Sequence, residues 1–221
     1  MVVGNGEEAI MKYVVCLPYV YEPYYFACAK TMKLENVLAV NNTVDNIGIM
    51  ASHNRGIDYM LEQDADWLII LSAAIRFGEP GGLDFIEQLE AHPDHIALEA
   101  IDVFGWHLIA FSRKLIEKVG RWDENFTPYG YDDLDYSWRI QLAYALDYRS
   151  QLWEKVPVDC EDMGMAHSIK KGKITTDNDK LRQYYFDKWG IMPEDDHDKA
   201  YKKPFNGEFN TVQYWPGDYK L

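Results

Sequence analysis

Three aspartates near the start of a predicted helix are the residues in this sequence best suited to chemistry. Asp132 and Asp133 are adjacent, Asp135 follows them, and Arg139 lies four residues beyond Asp135. A carboxylate can take a proton from a hydroxyl group or bind a cation, and residues four apart on a helix can form an ion pair that holds the charges in place. The cluster therefore indicates general-base catalysis or ion binding. A structural alternative is open as well, because the helix dipole also stabilises acidic residues at a helix N-terminus.

Two turns and an apolar stripe define the elements that must position this cluster. Gly120 is typical of a C-cap that ends one helix, and residues 128–130 predict a second turn. A new helix should then begin at Asp132, because its spacing to Asp135 is that of an N-cap and its return carboxylate. Apolar residues four apart predict the buried face of this helix: Leu134, Trp138 and Leu142.

The rest of the chain predicts a single α/β domain with a mainly parallel central sheet flanked by helices. Short apolar runs such as KYVVCLP, NVLAV and WLIIL alternate with segments of helical periodicity. Ligands of open α/β sheets bind beyond the carboxyl ends of the strands, so the loops after these runs are candidate binding loops. Residues 1–11 are predicted to be a disordered tail, and residues 191–221 an extension that packs on the domain.

The composition restricts the possible partners. The 221 residues carry a formal net charge of -14, which repels nucleic-acid backbones and anionic membrane surfaces. Aromatic residues make up 14% of the chain, as is common where sugar rings or bases are stacked, although core packing uses them too. Three cysteines at spacings unlike those of a zinc site favour free thiols in a reducing compartment. With no long apolar run and no basic leader, we expect no membrane span and a cytoplasmic protein.

The segment SRKLIEKVGRWDENFTPYGYDDLDYSWRIQLA resembles the acceptor-side segment of family 2 glycosyltransferases, which have the GT-A fold and read "sRelfekvGgFDEnFfpyyEDvDlswRl". Asp132 stands where that family usually has Glu. The resemblance extends back to NIGIMASHNRGIDYM and forward to YYFDKWG, and so covers roughly residues 12–190. The matching residues are Ser112, Arg113, Gly120, Asp123, Glu124, Phe126, Asp133, Asp135, Trp138 and Arg139.

This resemblance implies a Rossmann-like GT-A domain over residues 12–190 that transfers a hexosyl or pentosyl group from a nucleotide sugar to an acceptor hydroxyl, with inversion. Asp133 would then deprotonate the acceptor as it attacks the anomeric carbon, and Asp132 and Arg139 would orient it. The expected acceptor is a glycan or a small molecule. A modified base in nucleic acid would fit if the lysines near residue 171 formed a basic patch.

The resemblance also implies a set of donor-binding residues. Pro18 and Tyr19 follow the first strand, where the nucleotide would lie. Asn41 follows the second strand and would contact the base, although turn formation explains it equally well. Asn54 and Arg55 would line the diphosphate side, with an ordinary surface arginine as the alternative for Arg55.

One motif of the family is absent. The strand WLIIL should run into an Asp-x-Asp that holds manganese or magnesium, and this chain has Ser72, Ala73 and Ala74 there. The residues could have been substituted by an experimenter, the enzyme could work with little metal, or the protein could have lost catalysis. We favour the second explanation, with Ser72 and Ala74 still beside the donor and Arg76 neutralising phosphate. The family often has a histidine near this point that completes the metal shell, so His167 would be a remaining metal ligand or, without the Asp-x-Asp, would contact only phosphate.

The predicted platform for the sugar or the acceptor consists of Trp106, His107, Asp135 and Arg139, with a structural role as the alternative for His107. Two other functions are compatible with the sequence. The first is a non-catalytic protein of the same fold that binds sugar nucleotides or glycans. The second is a structural subunit whose aromatic surface packs on partners. Measuring sugar transfer from a panel of nucleotide-sugar donors distinguishes the enzyme from the non-catalytic binding protein. A lack of any nucleotide binding would favour the structural subunit.

Overall fold

The computed structural model describes residues 11–144, 152–164, 178–196 and 199–207. Its main body is a six-stranded sheet with helices packed on both faces, and a two-stranded sheet lies beside it. The strands are β1 (Tyr13–Tyr19), β2 (Val37–Asn41), β3 (Trp67–Leu71), β4 (Ile75–Phe77), β5 (Ala97–Ala100), β6 (Leu108–Ser112), β7 (Trp153–Val156) and β8 (Cys160–Asp162). The helices are α1 (Glu22–Thr31), α2 (Ile49–Glu62), α3 (Leu83–Ala91), α4 (Arg113–Val119), α5 (Asp132–Tyr144) and α6 (Asn178–Trp189), with 3-10 turns at Glu124–Phe126 and Pro204–Gly207.

The strand order of the main sheet is β2-β1-β3-β6-β5-β7. Strand β1 pairs in parallel with β2 and β3, and β5 pairs in parallel with β7. Strand β6 is antiparallel to both of its neighbours, β3 and β5. The sheet is therefore mainly parallel, and the α/β fold predicted from the alternation of apolar runs and helical segments is confirmed.

Both faces of the sheet are covered, which explains why the strands are apolar runs and not alternating patterns. Cys16 of β1 packs into the cluster formed with α2, α4, α5 and α6, whereas its neighbour Leu17 packs on the opposite face with α1 and α3. Helix α2 lies directly against the sheet: a Cβ atom at Gly56 would come within 2.7 Å of the Cβ of Cys16. This close contact fixes the height of α2 above the carboxyl end of β1.

The small sheet is a feature that the sequence analysis missed. After β7 the chain forms β8, which pairs antiparallel to β4. Ile75, just after the end of β3, is opposite Asp162 in this pairing. The small sheet thus brings Asp162 beside the strand end where the metal motif was expected.

Helix α5 begins at Asp132 as predicted, but the predicted capping pair does not form. The backbone N–H of Asp135 donates to the carbonyl oxygen of Tyr131 at 2.9 Å, so the backbone of Tyr131 closes the first turn. The Asp132 carboxylate turns back and accepts from the backbone N–H of Gly130 at 2.9 Å. The Asp135 carboxylate is held by other side chains, which removes it from the helix mouth.

The described part of the C-terminal extension contacts the domain through Ile191 and Ala200, which belong to the core cluster with α5 and α6. Residues 1–10 of the predicted tail, the lysines near residue 171 and residues 208–221 of the predicted extension lie outside the described residues. Among the described helices, none combines the length and the apolar character needed to cross a bilayer.

Candidate active site

A cavity of about 330 Å³ lies at the carboxyl ends of β1 and β3. Its walls come from the loop after β1, the N-terminal half of α2, the end of β3, the loop before β6 and the first turn of α5. The lining residues are Pro18, Tyr19, Val20, Tyr21, Tyr24, Asn42, Asn46, Ile49, His53, Ile70, Leu71, Ser72, Ala73, Ala74, Phe104, Gly105, Trp106, His107, Pro128, Tyr129, Gly130, Asp132 and Asp133. This is where ligands bind in open α/β sheets, because the loops that can reach a ligand converge there.

The cavity brings together about half of the predicted site residues. The residues that were predicted and that line the cavity are Pro18, Tyr19, Ser72, Ala74, Trp106, His107, Asp132 and Asp133. The predicted residues that do not line it are Asn41, Asn54, Arg55, Arg76, Asp135 and Arg139. His167, the predicted metal ligand, lies outside the described residues.

Asp132 and Asp133 form the acidic wall of the cavity. The turn before them is anchored to α2, because the backbone N–H of Ile49 donates to the carbonyl oxygen of Pro128 at 3.0 Å. Loss of hydration raises the pKa of Asp132 to about 7, and the charge of the adjacent Asp133 adds to this rise. Asp133 is exposed and accepts from the backbone N–H of Leu134 at 2.9 Å. A carboxylate with a pKa near 7 can accept a proton at neutral pH and still release it afterwards.

Asp135 and Arg139 do not belong to the acceptor platform, which corrects the prediction. Their side chains are each only 1% exposed, and Arg139 Nε lies 3.0 Å from Asp135 Oδ2. Arg139 also donates to the carbonyl oxygens of Arg121, at 2.8 Å, and Val119, at 3.3 Å. Residues 135 and 139 are four apart and face the same side of α5, which is the side turned towards the protein interior and away from the cavity.

The sequence analysis also missed a buried lysine that completes this ion pair. Lys188 of α6 places its Nζ 2.7 Å from Asp135 and 2.6 Å from Asp123. Tyr184 and Trp189, from the same helix, donate to Asp123 and Asp135 at 2.8 and 2.9 Å. The helical spacing in the sequence could have indicated this burial, because it places Lys188 on one face of α6 with Leu181, Tyr185 and Trp189.

The donor-side predictions are corrected in two places, by one residue after β2 and by two residues on α2. Asn41 is exposed, and its Oδ1 accepts from the backbone and the hydroxyl of Thr43, so it forms the turn after β2. The next residue, Asn42, lines the cavity and is held by Ser52 Oγ at 2.9 Å. Arg55 is exposed on α2, whereas His53 of the same helix lines the cavity.

Asn54 has a structural role in place of the predicted donor contact. Its Oδ1 accepts from the backbone N–H of Trp122 at 2.9 Å, and its Nδ2 donates to Trp122 O and Glu124 Oε1 at 3.0 and 2.8 Å. These bonds tie α2 to the segment before α5. Because they use the hydrogen-bonding groups of the amide, Asn54 holds the two walls of the cavity together.

Arg76 stabilises the end of β3 and does not line the cavity. Its Nη1 donates to the carbonyl oxygens of Ala73 and Ile75, both at 2.7 Å, and its guanidinium lies 5.3 Å from the centre of the Tyr24 ring. A turn follows β3 at this point, closed by the bond from the backbone N–H of Ile75 to the carbonyl oxygen of Ser72 at 3.1 Å, and the arginine binds carbonyl groups of this segment.

Two histidines lie among the described lining residues. His53 is buried, neither of its ring nitrogens has a hydrogen-bond partner in the described part of the chain, and burial lowers its pKa to about 3, so it is neutral. His107 Nδ1 lies 2.7 Å from Asp162 Oδ2, and both side chains are nearly buried. Trp106 packs on Phe111 and Trp153 with ring centres 5.3 and 5.8 Å apart, so it presents a fixed aromatic surface beside His107.

The described residues do not fit a divalent metal site. Hard cations need several oxygen ligands, and the end of β3 offers the single hydroxyl of Ser72. The nearby Asp162 carboxylate already accepts from His107 and from the backbone N–H groups of Phe104 and Gly164. No cluster of three or more His, Cys, Asp or Glu side chains in metal-binding geometry occurs within the described ranges.

Comparison with known proteins finds similarity in solved structures alone. No protein-family model matches the sequence, and no curated protein matches it either. The mannosyltransferase PcManGT from Pyrobaculum calidifontis, solved in complex with GDP-Man and Mn2+, is 14% identical with a TM-score of 0.47, and the match covers 78% of this chain and 67% of that one. The structure of S. aureus TarS 1-349 is 10% identical with a TM-score of 0.43, over 60% of this chain and 56% of that one, so the match spans little more than half of that solved chain. At these identities the similarity to glycosyltransferases concerns the backbone arrangement alone.

Proposed function

We propose that this protein is a glycosyltransferase that moves a sugar from a nucleotide sugar to an acceptor hydroxyl group with inversion. The observation that carries this proposal is the position of the Asp132 and Asp133 pair, which faces an aromatic cavity at the carboxyl ends of β1 and β3. Tyr19 and Tyr21 lie on another wall of the cavity, where a nucleoside base can stack. A sugar bound between these walls would have the nucleotide on one side and the carboxylates on the other.

The two carboxylates act together in the reaction. Asp132 takes the proton from the acceptor hydroxyl while the acceptor oxygen forms a bond to the anomeric carbon. The bond between this carbon and the diphosphate oxygen breaks on the opposite face, which inverts the configuration. The charge of Asp133 makes Asp132 the stronger base, because like charges at close range disfavour a second ionisation. This assignment moves the base from Asp133, the sequence-based candidate, to its neighbour.

A non-catalytic binding protein is the second candidate, and the Ser72-Ala73-Ala74 segment favours it because a carboxylate pair is missing there. Both candidates bind nucleotides, but only the enzyme forms a product. A panel of radiolabelled nucleotide sugars should therefore be incubated with the protein, and both glycoside formation and slow hydrolysis should be measured. Product formation by the wild type and its loss in Asp132→Asn supports the enzyme. Tight nucleotide binding with no turnover of any donor supports the binding protein.

A further inference from the structure

The diphosphate that leaves in the proposed reaction needs a positive group, and the described cavity wall contains neither lysine nor arginine. The same wall offers no metal-ligand set, as shown above. Among the cavity-lining side chains of the described chain, this leaves the two imidazoles. His53 is buried and carries no carboxylate partner, so it suits a neutral hydrogen bond. His107 is bonded to the ionised Asp162, and a carboxylate partner stabilises the imidazolium form.

The position of His107 also suits contact with the diphosphate. The backbone N–H of Ser72 donates to the carbonyl oxygen of His107 at 2.7 Å, which puts the imidazole beside the strand end where the Asp-x-Asp was expected. Pairing of β4 with β8 supplies Asp162 from the other side. The imidazole is therefore fixed between the main sheet and the small sheet.

The contacts of Asp162 define which ring nitrogen of His107 is available. Asp162 Oδ2 accepts from the backbone N–H of Phe104 at 2.8 Å, and Oδ1 accepts from that of Gly164 at 2.9 Å. These two donors and His107 lower the pKa of Asp162 despite its partial burial. An ionised carboxylate can only accept, so Nδ1 of His107 donates to it, and Nε2 has no partner among the described residues.

We propose that the His107–Asp162 pair takes the place of the metal at the donor diphosphate. In this proposal, which rests on the proposed function, Nε2–H of His107 donates a charge-assisted hydrogen bond to a phosphate oxygen. Asp162 holds the ring and balances its charge. As the bond to the sugar breaks and negative charge builds on the diphosphate, this hydrogen bond strengthens without any transfer of the proton.

The titratable groups that face His107 are Asp162, in direct contact, and His53, Asp132 and Asp133, which share the cavity. Asp132 lines the same cavity and has a pKa of about 7, so a second variant must separate its effect from that of His107.

The test is isothermal titration calorimetry with uridine and guanosine diphosphates and with the matching nucleosides, all in EDTA. The titrations are run at pH 7.5. We expect the wild type to bind a diphosphate without metal, and His107→Gln to bind it at least about tenfold more weakly, with nucleoside affinity unchanged. Asp132→Asn should leave diphosphate affinity nearly unchanged. His92→Gln, a histidine paired with Glu154 away from the cavity, is the matched control.

The outcomes separate this inference from the function on which it rests. If the wild type binds none of the diphosphates with or without manganese, both fail. Two outcomes would contradict only this inference. In the first, the wild type binds a diphosphate, but His107→Gln loses nucleoside and diphosphate affinity equally. In the second, binding requires manganese and His107→Gln has the affinity of the wild type. Asp162→Asn gives a second test, because it keeps a side chain of the same size and should reduce diphosphate affinity in the same direction. Thermal unfolding of each variant shows whether β4 and β8 still pair.

Discussion

Lys188 lies between two carboxylates in the protein interior, 2.6 Å from Asp123 and 2.7 Å from Asp135, and its side chain is only 2% exposed. With Arg139 the group contains two positive and two negative charges, so the cluster is neutral as a whole. It joins α6 to α5 directly behind the acidic wall of the cavity. The ion pairs therefore position Asp132 and Asp133 without contacting a ligand.

Removing this lysine should strongly destabilise the fold. Lys188→Met leaves Asp123 and Asp135 buried without their shared partner, and breaking a buried pair costs about 3–5 kcal/mol. Lys180→Met, at an exposed position of the same helix, should change the free energy of unfolding by about 0.5 kcal/mol or less. Urea unfolding followed by circular dichroism measures both. Equal stability of the two variants would show that the buried cluster does not hold α6 in place.

The proposed division of roles between the carboxylates predicts unequal effects on turnover. Asp132→Asn removes the base and should lower kcat by a factor of about one hundred to ten thousand, with donor affinity nearly unchanged. Asp133→Asn leaves a base of lower pKa and should have a smaller effect on kcat. Steady-state transfer kinetics with a saturating donor distinguish the two. A larger loss in Asp133→Asn would return the role of base to Asp133.

Asp132 should also make stability depend on pH. Its pKa is about 7 in the folded state, against 3.8 for an unperturbed aspartate. Between these two pH values the folded state keeps a proton that the unfolded state has released, so the free energy of unfolding falls as pH rises. Above pH 7 the whole of this decrease in stability is present. Asn has no charge to bury, so Asp132→Asn should be more stable than the wild type at pH 8, by about 1–3 kcal/mol, and the gain should shrink towards pH 4. Urea unfolding at pH 5 and pH 8 measures this difference, and a gain independent of pH would contradict the assignment.

The two arginines that the sequence suggested for phosphate binding should have little effect on it. Arg55 is exposed on α2, and Arg76 binds the carbonyl groups of Ala73 and Ile75. Neither lines the cavity, so Arg55→Met and Arg76→Met should each bind a nucleoside diphosphate within about threefold of the wild type, equivalent to about 0.6 kcal/mol. Calorimetry in the buffer used for His107→Gln gives the comparison. A tenfold loss in Arg76→Met would return the phosphate contact to this arginine.

Local patterns in the sequence determined the elements and the general position of the site. Short apolar runs fix β1, β2 and β3 as strands, of which β1 and β3 are central, and the turn at 128–130 fixes the start of α5. Because loops at the carboxyl ends of parallel strands converge, the placement of Pro18, Tyr19, Ser72 and Asp132 around one cavity follows from these elements.

Tertiary structure alone decided which polar side chains face the cavity and which face the interior. Asp132 and Asp135 are three residues apart in one motif, yet one lines the cavity and the other is bound to Lys188, which is 53 residues away in the chain. Likewise, Asp162 meets His107 only because β8 pairs with β4, a contact between segments whose short strands carry little periodicity of their own. A burial pattern along the chain indicates that a residue lies in the interior. The free energy of a buried charge, however, depends on the group that it pairs with, and the packing of distant segments determines which group that is.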